Sequence, residues 1–157
     1  AEHISGSQEA FAELMNTEAK QLGATGTHFV NPHGLHDENH YTTTYDLYLM
    51  FNEALKDQAF LDIISMNSYT AKVTSADGTS YTPTWQATNY YSAGEATPPD
   101  GIHVYGGKTG TTDQAGNCVI LYEKNTAGEP YISVIMGASD KPLLYEEMNE
   151  LLDAGMK

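Results

Sequence analysis

The sequence predicts an α+β domain with helices packed on an antiparallel sheet, and three observations carry that expectation. Apolar residues recur at helical spacing in two separate stretches of the first 66 residues. An Asp77-Gly78 pair sits between two strand-like runs, a strong hairpin signal. Three more strand-like runs then lead into a closing amphipathic helix. Helices and strands are therefore segregated along the chain rather than alternating, which is the α+β pattern. At 157 residues and 40% hydrophobic content the chain has the size and composition of one domain with a core of its own.

Taken in order, Phe11, Leu14, Met15, Ala19 and Leu22 mark a helix from Ser7 to Leu22, and Gly23 is a natural stop. Ser5 with Gln8 three residues on fits a capping box. Ala24 to Tyr41, rich in Gly, Asn, Pro and His, reads as an ordered loop. Thr43 or Thr44 caps a second helix with Leu47, Met50, Phe51, Ala54 and Leu55 on one face, and a short third helix spans Gln58 to Ile64. Tyr69 to Ser75 and Thr79 to Trp85 form the hairpin, and Gln86 to Gly101 reads as a long irregular connection. The later strands are Ile102 to Thr111, Cys118 to Lys124 and Tyr131 to Ala138, with Asp113, Gly116, Asn125 and Gly128 in their turns. The run from Val119 to Tyr122 is continuously apolar, as in a strand covered on both faces. Lys141 to Met156 closes the chain as a helix with Leu144, Met148, Leu151 and Leu152 inward and Pro142 in its first turn.

Charge narrows the possible partners. Acidic residues number 21 against 7 basic ones, every one a lysine, for a net charge of −14. Phosphate backbones are held by Lys and Arg clusters, so no nucleic-acid partner is expected, and anionic membrane surfaces are disfavoured. No apolar run approaches the roughly 20 residues of a membrane-spanning helix. Cys118 has no second cysteine to pair with. It opens an apolar strand and reads as a buried, inert thiol.

Three groups of residues are candidates for chemistry. Lys108-Thr109-Gly110, preceded by Gly106-Gly107 and followed by Thr111-Thr112, sets an ammonium and a hydroxyl side by side on a strand. Such a pair can clamp a carboxylate, and the glycines allow a ligand close to the backbone. The order of residues is not that of a phosphate-binding loop. A solvated lysine at a Gly-rich strand end is the plain alternative. His28, His33, His36, Asp37 and His40 suggest zinc by density alone, but their spacing matches no helical ligand pair and Asn31-Pro32 and Gly34 make the segment irregular, so no metal is expected. Trp85 with Tyr81, Tyr90, Tyr91 and Tyr105 admits a carbohydrate-binding platform, although packing of the hairpin is the favoured account.

The surrounding segments decide for Lys108 and Thr109. A Lys-Thr-Gly strand followed by a hairpin and a C-terminal helix resembles the serine penicillin-recognising enzymes. The stretch Thr27-His28-Phe29-Val30-Asn31-Pro32-His33-Gly34-Leu35, then His40 to Asp46, Thr88-Asn89 and Ala115-Gly116-Asn117-Cys118, is similar to the D-alanyl-D-alanine carboxypeptidases of that group, in the version of Gram-positive bacteria. The resemblance runs from about residue 1 to residue 155. It implies a partial β-lactamase/transpeptidase-like fold and an extracytoplasmic cell-wall enzyme without a cofactor. Such an enzyme removes the terminal D-Ala of peptidoglycan stem peptides through a serine acyl-enzyme, and β-lactams acylate the same serine. By position, Lys108 would set the electrostatics of the site and the Thr109 hydroxyl would bind the substrate's terminal carboxylate. Gly110 would give clearance, and the N–H of Thr111 would form half the oxyanion hole.

One departure is decisive. The family's nucleophile lies in a Ser-x-x-Lys motif, and the 157 residues contain none. Thr17-Glu18-Ala19-Lys20 has the spacing without the serine, while Ser139-Asp140-Lys141 and Ser68 to Lys72 have the wrong spacing. The one Ser-x-Asn, Ser65-Met66-Asn67, falls too late in the family order, where that motif precedes the helix equivalent to residues 1–22. The chain also starts at Ala1 without a Met, inside a helical stretch. The expectation is a single partial domain over residues 1–157, the C-terminal part of such an enzyme. Its residues 1–66 are mainly helical, and 67–157 hold the hairpin, the Lys-Thr-Gly meander and the closing helix. It is expected to be inactive alone, with a non-catalytic module that binds peptidoglycan or a partner as the alternative. Tyr131 to Ala138, with Ile132, Val134 and Met136 alternating, would be a bare sheet edge prone to self-association.

Overall fold

The computed structural model describes residues 1–155. A single turn, α1 (Glu2–Ser5), ends at Gly6, whose φ of 82° is a conformation that favours glycine. Helix α2 (Gln8–Gln21) follows, and its cap is Ser7 rather than Ser5: the Ser7 hydroxyl accepts from the Ala10 N–H at 3.1 Å. Ser5 is already inside α1 and lacks the extended backbone that a cap needs, while the Gln8 side chain donates instead to Glu2 Oε1. Thr43 caps α3 (Thr44–Ala54) and Asp57 caps α4 (Gln58–Ile64).

The loop between α2 and α3 is ordered by side chains that stand in for a ladder. Asn16 donates to the Phe29 carbonyl at 2.8 Å and accepts from the Phe29 N–H at 2.7 Å. The buried Asp46 carboxylate accepts from the Thr27 hydroxyl at 2.7 Å, and His28 and Tyr41 form an isolated bridge.

The hairpin forms, but as two short ladders. Strand β1 (Ser68–Thr70) pairs with β4 (Thr84–Gln86), and β2 (Val73–Thr74) with β3 (Ser80–Tyr81), around the Asp77-Gly78 turn. The interruption falls at Pro83, which has no N–H to donate. The connection expected to be irregular contains α5 (Tyr90–Ala93), capped by Asn89. The five aromatics weighed as one group separate. Trp85 pairs across the ribbon with Tyr69, Tyr90 and Tyr91 pack on Tyr145, and Tyr105 lies beside His103 and Tyr122.

Strands β5 (His103–Thr112), β6 (Gly116–Lys124) and β7 (Pro130–Ala138) make an antiparallel sheet in the order β5-β6-β7. Helix α6 (Lys141–Gly155) covers one face, burying Leu144, Tyr145, Met148 and Leu152 against Val119 and Leu121. That stripe is centred between Leu144 and Tyr145, which puts Leu151 on its rim, 42% exposed rather than inward as the spacing predicts. The other face meets α3, which packs on β7. Val119, Ile120 and Leu121 are all buried, as a continuously apolar central strand requires. Cys118 is half-buried rather than buried, because its cross-strand neighbour is Gly110, which has no side chain to cover it. Under α6 lies a buried carboxyl: Glu123 Oε1 accepts from the Ser133 hydroxyl at 2.5 Å, and Oε2 has no hydrogen-bond partner.

Candidate active site

The candidate site lies on β5, and the glycines of that strand do different work. A Cβ at Gly106 would stand 1.9 Å from the carbonyl oxygen of Ile64, at the end of α4, and one at Gly107 would stand 2.1 Å from the Ile120 carbonyl oxygen. Both glycines are consumed by packing, and the ladder shifts register between Val104 and Gly106 as the strand passes α4. A Cβ at Gly110 would meet nothing within 4 Å. Of the three glycines read as room for a ligand, only Gly110 is therefore open.

Lys108 is exposed and its ammonium donates to the Thr109 carbonyl. Thr109 is half-buried, with its hydroxyl 2.7 Å from the Thr88 hydroxyl. Lys108, Thr109, Gly110 and Cys118 border a shallow recess of about 190 Å³ with Leu47 and Met136. The Thr111 hydroxyl donates to Asn117 Oδ1 at 3.2 Å. Because β5 is an edge of the sheet, alternate N–H groups along it point away from β6, free of the ladder. The structure thus brings Lys108, Thr109, Gly110 and Thr111 onto one open strand edge, with a second hydroxyl facing it.

That second hydroxyl, Thr88, is held from a distance. Asn89, 3% exposed, accepts from the Tyr91 N–H at 3.0 Å and starts α5. The Tyr90 N–H donates to the Tyr145 hydroxyl at 2.9 Å, and the Tyr91 hydroxyl to Asn149 Oδ1 at 2.8 Å, both on α6. Tyr145 stacks on Tyr90 with ring centroids 4.5 Å apart. Burial pushes both the Tyr145 and Tyr91 phenols above their ordinary values, so both remain protonated, Tyr91 as a donor and Tyr145 as the acceptor of the Tyr90 N–H. Sequence reasoning found Thr88-Asn89 as part of a resemblance but not as the partner of Thr109. The local signal was Asn89, a good cap ahead of four residues free of Pro and Gly. Tyr145→Phe is expected to leave the Tyr90 N–H unpaired, costing about 1–2 kcal/mol of stability. A urea midpoint unchanged from the parent chain would count against this linkage.

The histidine-rich loop uses its rings for the backbone. His28 Nδ1 lies 2.6 Å from the Asn39 carbonyl oxygen, while His33 and His40 accept from the N–H groups of Leu35 and Val30 through Nδ1. Partial burial holds His40 below its ordinary value. Among the described residues, no three His, Cys, Asp or Glu side chains converge as metal ligands.

Known proteins are similar to this chain in sequence and fold. The sequence profile of the peptidase S11 family, described as D-alanyl-D-alanine carboxypeptidase, matches residues 1–140. The D-alanyl-D-alanine carboxypeptidase DacF of Bacillus subtilis is 31% identical over 153 residues, which cover 98% of this chain and 36% of DacF. DacA of Haemophilus influenzae is 31% identical over 157 residues, again 36% of its length. The crystal structure of the Streptomyces K15 DD-transpeptidase superposes with a TM-score of 0.83 at 26% identity, covering 94% of this chain and 54% of that one. A D-alanyl-D-alanine carboxypeptidase of Mycobacterium tuberculosis shares the fold at a TM-score of 0.80. The chain thus spans about a third of the curated relatives' length, and slightly more than half of the solved DD-transpeptidase. With the profile matching most of its length and the helix-on-sheet architecture shared, the chain belongs to the peptidase S11 family of D-alanyl-D-alanine carboxypeptidases, penicillin-binding proteins of β-lactamase-like fold.

Proposed function

We propose that this chain forms the Lys-Thr-Gly wall of a serine-type D-alanyl-D-alanine carboxypeptidase that trims peptidoglycan stem peptides outside the cytoplasm. The observation that carries the reading is the Thr109 hydroxyl, set at an open sheet edge beside the Lys108 ammonium and 2.7 Å from Thr88. In this reading the stem peptide's terminal carboxylate accepts from Thr109 and is attracted by Lys108. Gly110 leaves room for the substrate backbone, and the Thr111 N–H donates to the oxyanion of the tetrahedral intermediate. Loss of one such donor typically slows catalysis roughly 100- to 1,000-fold, so this edge carries much of the barrier lowering. The attacking serine releases D-Ala and is then freed by water. No Ser-x-x-Lys exists in the 157 residues, so that serine belongs to a segment outside them.

Two outcomes follow. Incubated with a β-lactam, this single partial domain is expected to keep its intact mass. A chain extended upstream through Ser-x-x-Lys and Ser-x-Asn should gain one penicilloyl adduct. An adduct on the 157 residues alone would overturn the assignment of the nucleophile. No adduct on either chain would favour a module that binds peptidoglycan or a protein partner without catalysis. The second outcome concerns β7, which pairs with β6 on one side and with no strand on the other among the described residues. Ile132, Val134 and Met136 alternate along it, so the 157 residues are expected to self-associate through 131–138. Sedimentation velocity at high micromolar concentration should show dimers or larger species, and a strict monomer would refute this.

A further inference from the structure

We propose that the ribbon next to the Lys-Thr-Gly strand is a saccharide-binding strip, which takes the uncharged glycan of the same polymer whose stem peptide the site receives. The proposal rests on the peptidoglycan reading above but is carried by a different set of residues. Tyr69 on β1 and Trp85 on β4 face each other across the ladder, with ring centroids 6.4 Å apart and planes within 8°. Each is 54% exposed, so two parallel aromatic faces stand in water. Ile63 and Met66, 64% and 39% exposed, extend the surface. Together they border a groove of about 550 Å³, within the range of small-ligand sites. Ser68 and Gln86 also line it, and neither side chain has a hydrogen-bond partner among the described residues.

Charge selects the occupant. The chain carries −14, yet residues 66–88 contain only Lys72 and Asp77 as charged groups, alongside nine serines and threonines. An anionic partner is repelled by the rest of the molecule, and a cationic one finds no carboxylate lining the groove. A neutral pyranose suits both features: its C–H face lies on Trp85 or Tyr69, and its hydroxyl and acetamido groups meet Gln86 and Ser68. Position supports the same ligand. Thr88 lies three residues beyond Trp85, at most about 11 Å of chain. A glycan strand lying in the groove therefore holds its peptide branch near Thr109.

Trp85 is the single tryptophan, so its emission reports on the groove directly. The 157-residue chain is titrated with a β-1,4-linked tetrasaccharide of N-acetylglucosamine, which has no stem peptide. A saturable change in Trp85 emission is expected. Tyr69→Ala, with circular dichroism to register folding, should weaken the affinity tenfold or more. Gln86→Leu, which keeps both rings, should weaken it several-fold. An emission unchanged up to millimolar saccharide overturns the proposal, as does equal affinity in both variants. Binding of an apolar dye without any saccharide response also overturns it, by marking a nonspecific apolar patch. The β-lactam adduct experiment is independent of all these outcomes, so failure of the strip and failure of the carboxypeptidase reading are told apart.

Discussion

Gly106→Ala is expected to destabilise the chain by about 3 kcal/mol, at the upper end of what overpacking usually costs. The added methyl would be placed 1.9 Å from the Ile64 carbonyl oxygen and 2.6 Å from its carbonyl carbon, where backbone rather than a flexible side chain stands in the way. Either α4 must retreat or β5 must bend away, and β5 is the strand that carries Lys108 and Thr109. The fold and the site therefore fail together. Gly110→Ala is the control, since its new methyl meets nothing within 4 Å and should change stability by less than about 0.5 kcal/mol. Urea denaturation of the two variants checks the contrast. Equal midpoints would mean that the contact between α4 and β5 is looser than the structure indicates.

The second large effect is a dependence of stability on pH through Glu123. Burial pushes its carboxyl from the ordinary 4.5 up to about 7, opposed in part by the hydrogen bond from Ser133. Between those two values the folded chain holds a proton that the unfolded chain has released. Stability therefore falls as pH rises through this window and levels off above about 7. A rise from 4.5 to about 7 corresponds to roughly 3 kcal/mol, and at 1% exposure little solvent screening reduces it. Glu123→Gln keeps an acceptor for Ser133 and removes the charge, so the decline should disappear and the variant should be the more stable chain at pH 8. Unfolding free energies at pH 5, 6, 7 and 8 measure this. A parallel pH profile for the variant would refute the assignment to Glu123. Glu9 and Asp77, both held below their ordinary values chiefly by backbone hydrogen bonds, act in the opposite direction and only at lower pH.

The features legible in the sequence were those written in local patterns. Helical spacing marks α2, α3 and α6, the Asp77-Gly78 turn marks the ribbon, and the apolar run of β6 identifies the central strand. The Lys-Thr-Gly edge was legible because its residue types are adjacent in the chain. What escaped was set by distant contacts. Nothing near Gly106 announces Ile64, 42 positions earlier, so in the sequence alone its packing role is indistinguishable from clearance for a ligand. Helix α5 has four residues, too few to leave a periodicity, and Thr88 acquires its partner only when Tyr145 reaches back across 55 positions. Ser7 displaced Ser5 as the cap because α1 claimed Ser5 first.

The sheet and its closing helix have a consequence for how the chain folds. Three residues connect β5 to β6, five connect β6 to β7, and two connect β7 to α6. All seven residues of the buried cluster, from Val119 to Leu152, lie within this one stretch of sequence. Loop closure there is entropically cheap, and each segment meets its neighbour as soon as both exist. Residues 103–155 are thus dominated by pairings between neighbours in the sequence, the kind of contact that favours rapid folding. Helix α3 precedes these strands in the chain, so the β7 surface on which it packs is supplied by residues that lie more than 75 positions later.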